Sequence, residues 1–107
     1  MAKKLRKYET LFVIHPDRVE EREGIIEKLT EIIQKDGGEV LKKDEWGLRK
    51  FAYPIEKKKQ GYYILMEFVA PAETPQKLEQ YFRIDERVIR FIVVKLEEKY
   101  QPETLAA

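Results

Sequence analysis

Apolar residues along this chain change their spacing several times, and each change marks a new element. From Lys7 to His15 (KYETLFVIH) β-forming residues dominate and the run stops at Pro16, so it reads as a strand. Its alternation places Tyr8, Thr10, Phe12 and Ile14 on one face and Glu9, Leu11 and Val13 on the other. Apolar groups on both faces are expected of an interior strand. The period then lengthens, with Ile25, Ile26, Leu29, Ile32 and Ile33 recurring at helical spacing. Asp17, with Glu20 three residues on, offers a capping start, and Gly37-Gly38 supplies the stop. Gly24 weakens this helix by up to about 1 kcal/mol relative to alanine, and nothing in the pattern accounts for it.

Glu39 to Tyr53 reads as a long second strand, bent near Gly47 where a bulge is expected. Pro54 and a turn over Lys57–Gly61 end it. Gly61 to Val69 (GYYILMEFV) is a third strand, again apolar on both faces. Thr74 followed by Pro75 matches a cap with proline at the first helical position, and Leu78, Tyr81 and Phe82 give that helix its packing edge. Val88 to Leu96 is the last strand. Beyond Tyr100 the run QPETLAA has no periodicity, so one domain is expected over residues 1–100 and a loose tail over 101–107.

The order βαββαβ predicts an α+β, ferredoxin-like sandwich, a four-stranded antiparallel sheet with two helices on one face. The first and third strands are then central, and the charged, proline-ended second strand is an edge. Two helices cover only one side. The covered side is expected to hold Tyr8, Thr10, Phe12, Ile14, Ile64, Met66, Phe68, Ile89, Phe91 and Val93. The bare side shows Leu11, Val13, Tyr63, Leu65, Ile92 and Val94, among Glu9, Glu67 and Arg90. So apolar a bare sheet points to a protein partner, or to bases stacked on Tyr63. Cover by the tail or by a second copy is the plainer alternative.

Composition narrows the chemistry. The chain has no Cys, no Ser and no Asn, and His15 is its one histidine. A disulfide, a thiolate metal site and a Ser or Cys nucleophile are therefore excluded. His15, before Pro16 at a strand end, reads as a turn residue rather than a general base. Neighbouring carboxylates such as Glu20–Glu21 diverge on any regular element. No enzyme, cofactor, metal or small-molecule substrate is expected. No apolar run reaches the roughly 18 residues of a membrane span, and no secretory pattern follows the basic start, which predicts a cytoplasmic, membrane-free protein. Charged residues at 38%, without Cys or Asn, form a composition that heat-adapted proteins favour.

Net charge is only +1, but it is unevenly spread. Lys3, Lys4, Arg6 and Lys7 crowd the start, and Lys42, Lys43, Arg49, Lys50, Lys57, Lys58 and Lys59 crowd residues 41–60, whereas the first helix is acidic. Such polarity suits docking on a polyanion. Arginines favour phosphate forks, which singles out Arg49, Arg87 and Arg90. The modest net charge fits an RNA interface shared with a more basic partner. Three other readings remain beside this one. An RNA-recognition module shares the element order, but its basic–Gly–aromatic–Gly run is missing from the third strand. A homodimeric interaction module is the second. An acylphosphatase-like enzyme is the third, and it lacks the required Asn.

Several runs resemble one family. Lys7-Tyr8-Glu9 before Pro16, the nine residues from Gly47 to Ile55 (GLRKFAYPI), Gly61-Tyr62-Tyr63, and Arg83 to Arg90 (RIDERVIR) leading to Val93-Val94-Lys95 look like bacterial small-subunit ribosomal protein six, over about Leu5 to Lys99. The resemblance implies a ferredoxin-like structural protein of the small ribosomal subunit. It implies binding to the central domain of 16S ribosomal RNA together with small-subunit ribosomal protein eighteen. Carried onto matching positions, it makes Tyr8, Arg49, Lys50, Tyr53, Arg87 and Arg90 RNA-binding candidates, which Lys3, Lys4 and Arg6 join on charge alone. The chain departs from some relatives in having Ile89 where they place an arginine, and in lacking a glutamate-rich tail.

Overall fold

A computed structural model of the chain describes residues 4–55 and 58–97, with only the backbone of residues 54 and 55. Lys3, Lys57 and the expected tail over 101–107 lie outside the described residues. The elements are β1 (Arg6–Ile14), a 3-10 segment (Pro16–Glu21), α1 (Arg22–Lys35), β2 (Glu39–Ile55), β3 (Lys58–Ala70), α2 (Thr74–Ile84) and β4 (Val88–Glu97). Strand order is β2-β3-β1-β4 with every pair antiparallel, so β1 and β3 are central as the doubly apolar pattern requires. This is the ferredoxin-like α+β sandwich, with both helices on one face of the sheet.

The core lies between helices and sheet. Phe12, Ile14, Ile64, Met66 and Phe68 meet Ile25, Leu29 and Ile33 of α1 and Leu78 and Phe82 of α2, all buried. Phe82 is central to it, its ring 5.2 Å from Phe12 and 5.0 Å from Phe91. Buried Thr10 is satisfied by donating to the Ile92 carbonyl at 2.9 Å. On β4 the expected core position Ile89 is corrected to Val88. The β1–β4 register shifts between Val13 and Ile14, so Ile14 faces Val88, which packs on the core.

Helix starts also differ from expectation. The capping side chain is His15, not Asp17, and it caps the 3-10 segment ahead of α1: its Nδ1 accepts from the Asp17 backbone N–H at 3.1 Å, and Pro16 occupies the position where no N–H is needed. Asp17 instead pairs with Lys58 at 3.2 Å. Thr74 is the first residue of α2 rather than its cap, and its hydroxyl donates to Asp36 at 2.8 Å, tying the two helices together.

Gly24 is exposed near the start of α1, and a Cβ built there meets nothing nearer than Arg87 Nη1 at 3.8 Å, an ordinary contact. Gly24→Ala is therefore expected to stabilise the fold by about 0.5–1 kcal/mol in urea unfolding. A loss of stability would show that the methyl crowds Arg87.

Candidate nucleic-acid interface

The register sorts the bare face of the sheet into rows. Arg90, Val13 and Tyr63 form one row across β4, β1 and β3, next to Gly47 on β2. Ile92, Leu11 and Leu65 form the next, beside Asp44. Val94, Glu9, Glu67 and Lys42 form the third. The face thus grades from cationic through aliphatic to carboxylate.

Past the first row β1 ends, but β2 and β3 continue as a two-stranded arm, with Arg49 opposite Gly61, Lys50 opposite Gln60 and Ile55 opposite Lys58. The sequence placed the end of this hairpin earlier, at Tyr53 and Gly61, whereas β2 runs on through Pro54 and β3 starts at Lys58. Gly47 sits at φ 87° where the register slips between Glu45 and Gly47. That bulge fixes which way its neighbours point. Glu45 turns to the helix side, accepting from Tyr62 Oη at 2.6 Å and Arg22 Nε at 2.9 Å, and both hold its carboxyl below the usual range. Trp46 turns to the bare side, its ring 6.2 Å from Tyr63 and nearly parallel to it at 7°. The Arg49 guanidinium carbon lies 5.1 Å from the Trp46 ring centre. Phe51 adds a third ring, 6.2 Å from Tyr63.

Sequence reasoning missed Trp46 and Phe51. Gly47 is the signal for them: one extra residue there flips the alternation on its N-terminal side. Gly61 is where the arm meets the sheet. A Cβ at Gly61 would lie 2.3 Å from Val13 Cγ1 and 2.8 Å from Phe51 Cζ. Val13 is thereby only 5% exposed without joining the inter-layer core, so its place on a bare partner face is corrected: the chain's own side chains cover it. Ile92 and Val94 remain 54% and 41% exposed, with Leu11, Leu65 and Tyr63 half-buried between them.

The candidate cations do not converge on one spot. Arg6 opens β1 opposite Ala70, at the far end of the sheet from the arm, with exposed Lys4 just before it. Arg49, Lys50 and Tyr53 lie on the arm, and Tyr53 is 81% exposed. Tyr8 is corrected to a core residue: it is 6% exposed and its ring stacks on Phe68 at 5.5 Å, leaving no face for a base.

Arg87 and Arg90 differ sharply. Arg87 forks onto Asp85 at 2.7 and 2.9 Å, reaches Tyr81 Oη at 3.4 Å and Glu21 at 3.5 Å. Tyr81 Oη donates to Asp85 at 2.6 Å. Arg87 above all, with Tyr81 after it, draws the Asp85 carboxyl down to about 2, whereas burial and then Asp85 push the Tyr81 hydroxyl up to about 12. Arg18, in the loop an acylphosphatase would need, is likewise taken by Glu21. By contrast Arg90, Arg49, Lys50 and Lys59 have no carboxylate within ion-pair distance among the described residues.

A helix-backed sheet whose other face carries aliphatic rows, and cations without carboxylate partners among the described residues, has its chemistry in a surface, as a docking protein does. Its relatives give it a place. The pattern of the family "Ribosomal protein S6" matches residues 7–95. The small ribosomal subunit protein bS6 of Clostridium novyi is 50% identical over 94 residues, covering 87% of this chain and 99% of that one. That of Carboxydothermus hydrogenoformans is 47% identical over 92 residues, covering 85% and 96%. The crystal structure of 30S ribosomal protein S6 from Thermotoga maritima superposes with a TM-score of 0.79 at 35% identity, covering 87% of this chain and 89% of that one. The chain belongs to the ribosomal protein S6 family. It is a structural protein of the small ribosomal subunit and not an enzyme. No helix among the described residues is long and apolar enough to cross a membrane.

Proposed function

We propose that this chain binds the central domain of 16S ribosomal RNA jointly with small-subunit ribosomal protein eighteen, the two partners sharing one face of the sheet. The aliphatic row of Leu11, Leu65 and Ile92, continued by Val94, takes the protein. The cationic end takes the RNA. The observation that carries this reading is the distribution of unpaired charge. Arg18, Arg22, Lys58, Lys77 and Arg87 are tied to carboxylates, whereas among the described residues nothing acidic pairs with Arg49, Lys50 and Lys59 on the arm or with Arg90 in the row at its root. Unpaired guanidinium groups are the ones that fork phosphates without first breaking an internal contact. Arg87 has a different part, holding the α2–β4 turn so that Arg90 enters the face in register.

Footprinting of 16S ribosomal RNA tests the arrangement, with the chain alone, the partner alone and both together. Protection of the central domain is expected only in the joint sample. Arg49→Ala and Arg90→Ala should each weaken joint assembly about fivefold and lower the salt slope by about 1, as the loss of a phosphate contact does. A double variant assembling with wild-type affinity and slope would overturn the assignment.

A further inference from the structure

The arm carries aromatic surface as well as charge. Trp46 is 37% exposed, lies parallel to Tyr63, and has the flat Arg49 guanidinium across its ring. We infer that Trp46 and Tyr63 together seat one unpaired RNA base, with Arg49, which lies over the Trp46 ring, placed to receive its phosphate. This rests on the proposed RNA-binding reading and goes further, naming single-stranded nucleotide rather than duplex as what this end of the face recognises.

Three observations carry it. First, Trp46 and Tyr63 lie nearly parallel with ring centres 6.2 Å apart, and Trp46 keeps exposed aromatic surface of the kind on which bases stack. Second, the bulge at Gly47 and the close approach at Gly61 hold that surface in place, because Phe51 wedges against Tyr63 and Val13. Stacking on a rigid platform loses little ordering entropy. Third, the surroundings select the occupant. Arg49, Lys59 and Arg90 share the face of the rings and have no carboxylate partner among the described residues, so a cationic protein segment would meet like charge there, whereas a nucleotide brings its own anion. An A-form duplex keeps its bases stacked internally and offers only phosphate and sugar.

Trp46 is the single tryptophan of the chain, so its emission reports this seat alone. The full-length chain is titrated at low salt with an oligoadenylate decamer and, separately, with a ten-base-pair RNA duplex. The decamer should quench Trp46 emission to saturation, and the duplex should bind without quenching. Trp46→Leu should weaken decamer binding about tenfold without changing the salt slope or duplex affinity, and Trp46→Phe should restore most of the loss. Emission that stays constant up to millimolar decamer overturns the inference, as does equal quenching by duplex or a Trp46→Leu affinity within twofold of wild type. So does an emission change produced by the partner protein without RNA. In each of these cases the phosphate-gripping role stands if Arg49→Ala still lowers the salt slope. An Arg49→Ala slope equal to wild type would remove the underlying reading instead.

Discussion

Phe82→Ala is expected to cost about 3–5 kcal/mol of folding free energy, the usual price of removing a fully buried aromatic ring. Phe82 is 2% exposed and, besides neighbouring Tyr81, touches two rings of the sheet, Phe12 from central β1 and Phe91 from edge strand β4. Deleting it leaves a cavity that neighbours in regular elements cannot close, and removes two aromatic contacts besides. Domains of this size have roughly 5–15 kcal/mol in total, so the variant should unfold at much lower urea concentration. The loss also reaches function, because among the described residues β4 pairs with β1 alone and Phe91 anchors it from below. Ile92 and Arg90, beside that anchor, should become less ordered, and joint assembly weaker. A destabilisation under about 1 kcal/mol in urea unfolding would show that α2 collapses onto the sheet without it.

Asp85→Asn is the second large effect, and it depends on pH. The folded Asp85 carboxyl titrates at about 2, below the roughly 3.9 of an unfolded chain. A depressed carboxylate contributes stability that is fully present above pH about 4 and lost as pH falls through about 2. Its side chain is 7% exposed, so solvent screens the Arg87 pair only weakly, and the contribution is about 2 kcal/mol. Near neutral pH Asp85→Asn should therefore be about 2 kcal/mol less stable than wild type by urea unfolding. At pH 2 the two should nearly coincide. A difference that stays constant over that range would place the role of Asp85 elsewhere than in its charge.

The layers of the fold were legible because its apolar spacing is regular. Phe12, Ile64 and Phe68 alternate on their strands, Ile25 and Leu29 recur at helical period, and all five are buried. What escaped were features set by neighbours distant in sequence. Val13 looks bare on its own strand, but groups beside Gly61 cover it. Trp46 lies at a register slip, where alternation counted from either end gives the wrong side. Tyr8 stands in a matching motif beside basic residues, yet its parity buries it. Arg87 and Arg90 are three residues apart and look alike, but only Arg87 follows a turn carboxylate within reach. Ion pairing is decided by side-chain geometry, which composition does not encode.

The arm has one more consequence, which is mechanical. Beyond the last residue of β1 its shorter strand runs on from Gly61 to Lys58, roughly 13 Å. It is held at both ends: the Gly61 contact braces its root, and the Lys58–Asp17 ion pair ties its outer end to the 3-10 segment. A two-stranded ribbon so mounted is a strut rather than a lever: swinging it means breaking one of the two attachments. Arg49 and Tyr53 are therefore offered at a set distance from the helices, and a binding surface meets them without first having to order the arm.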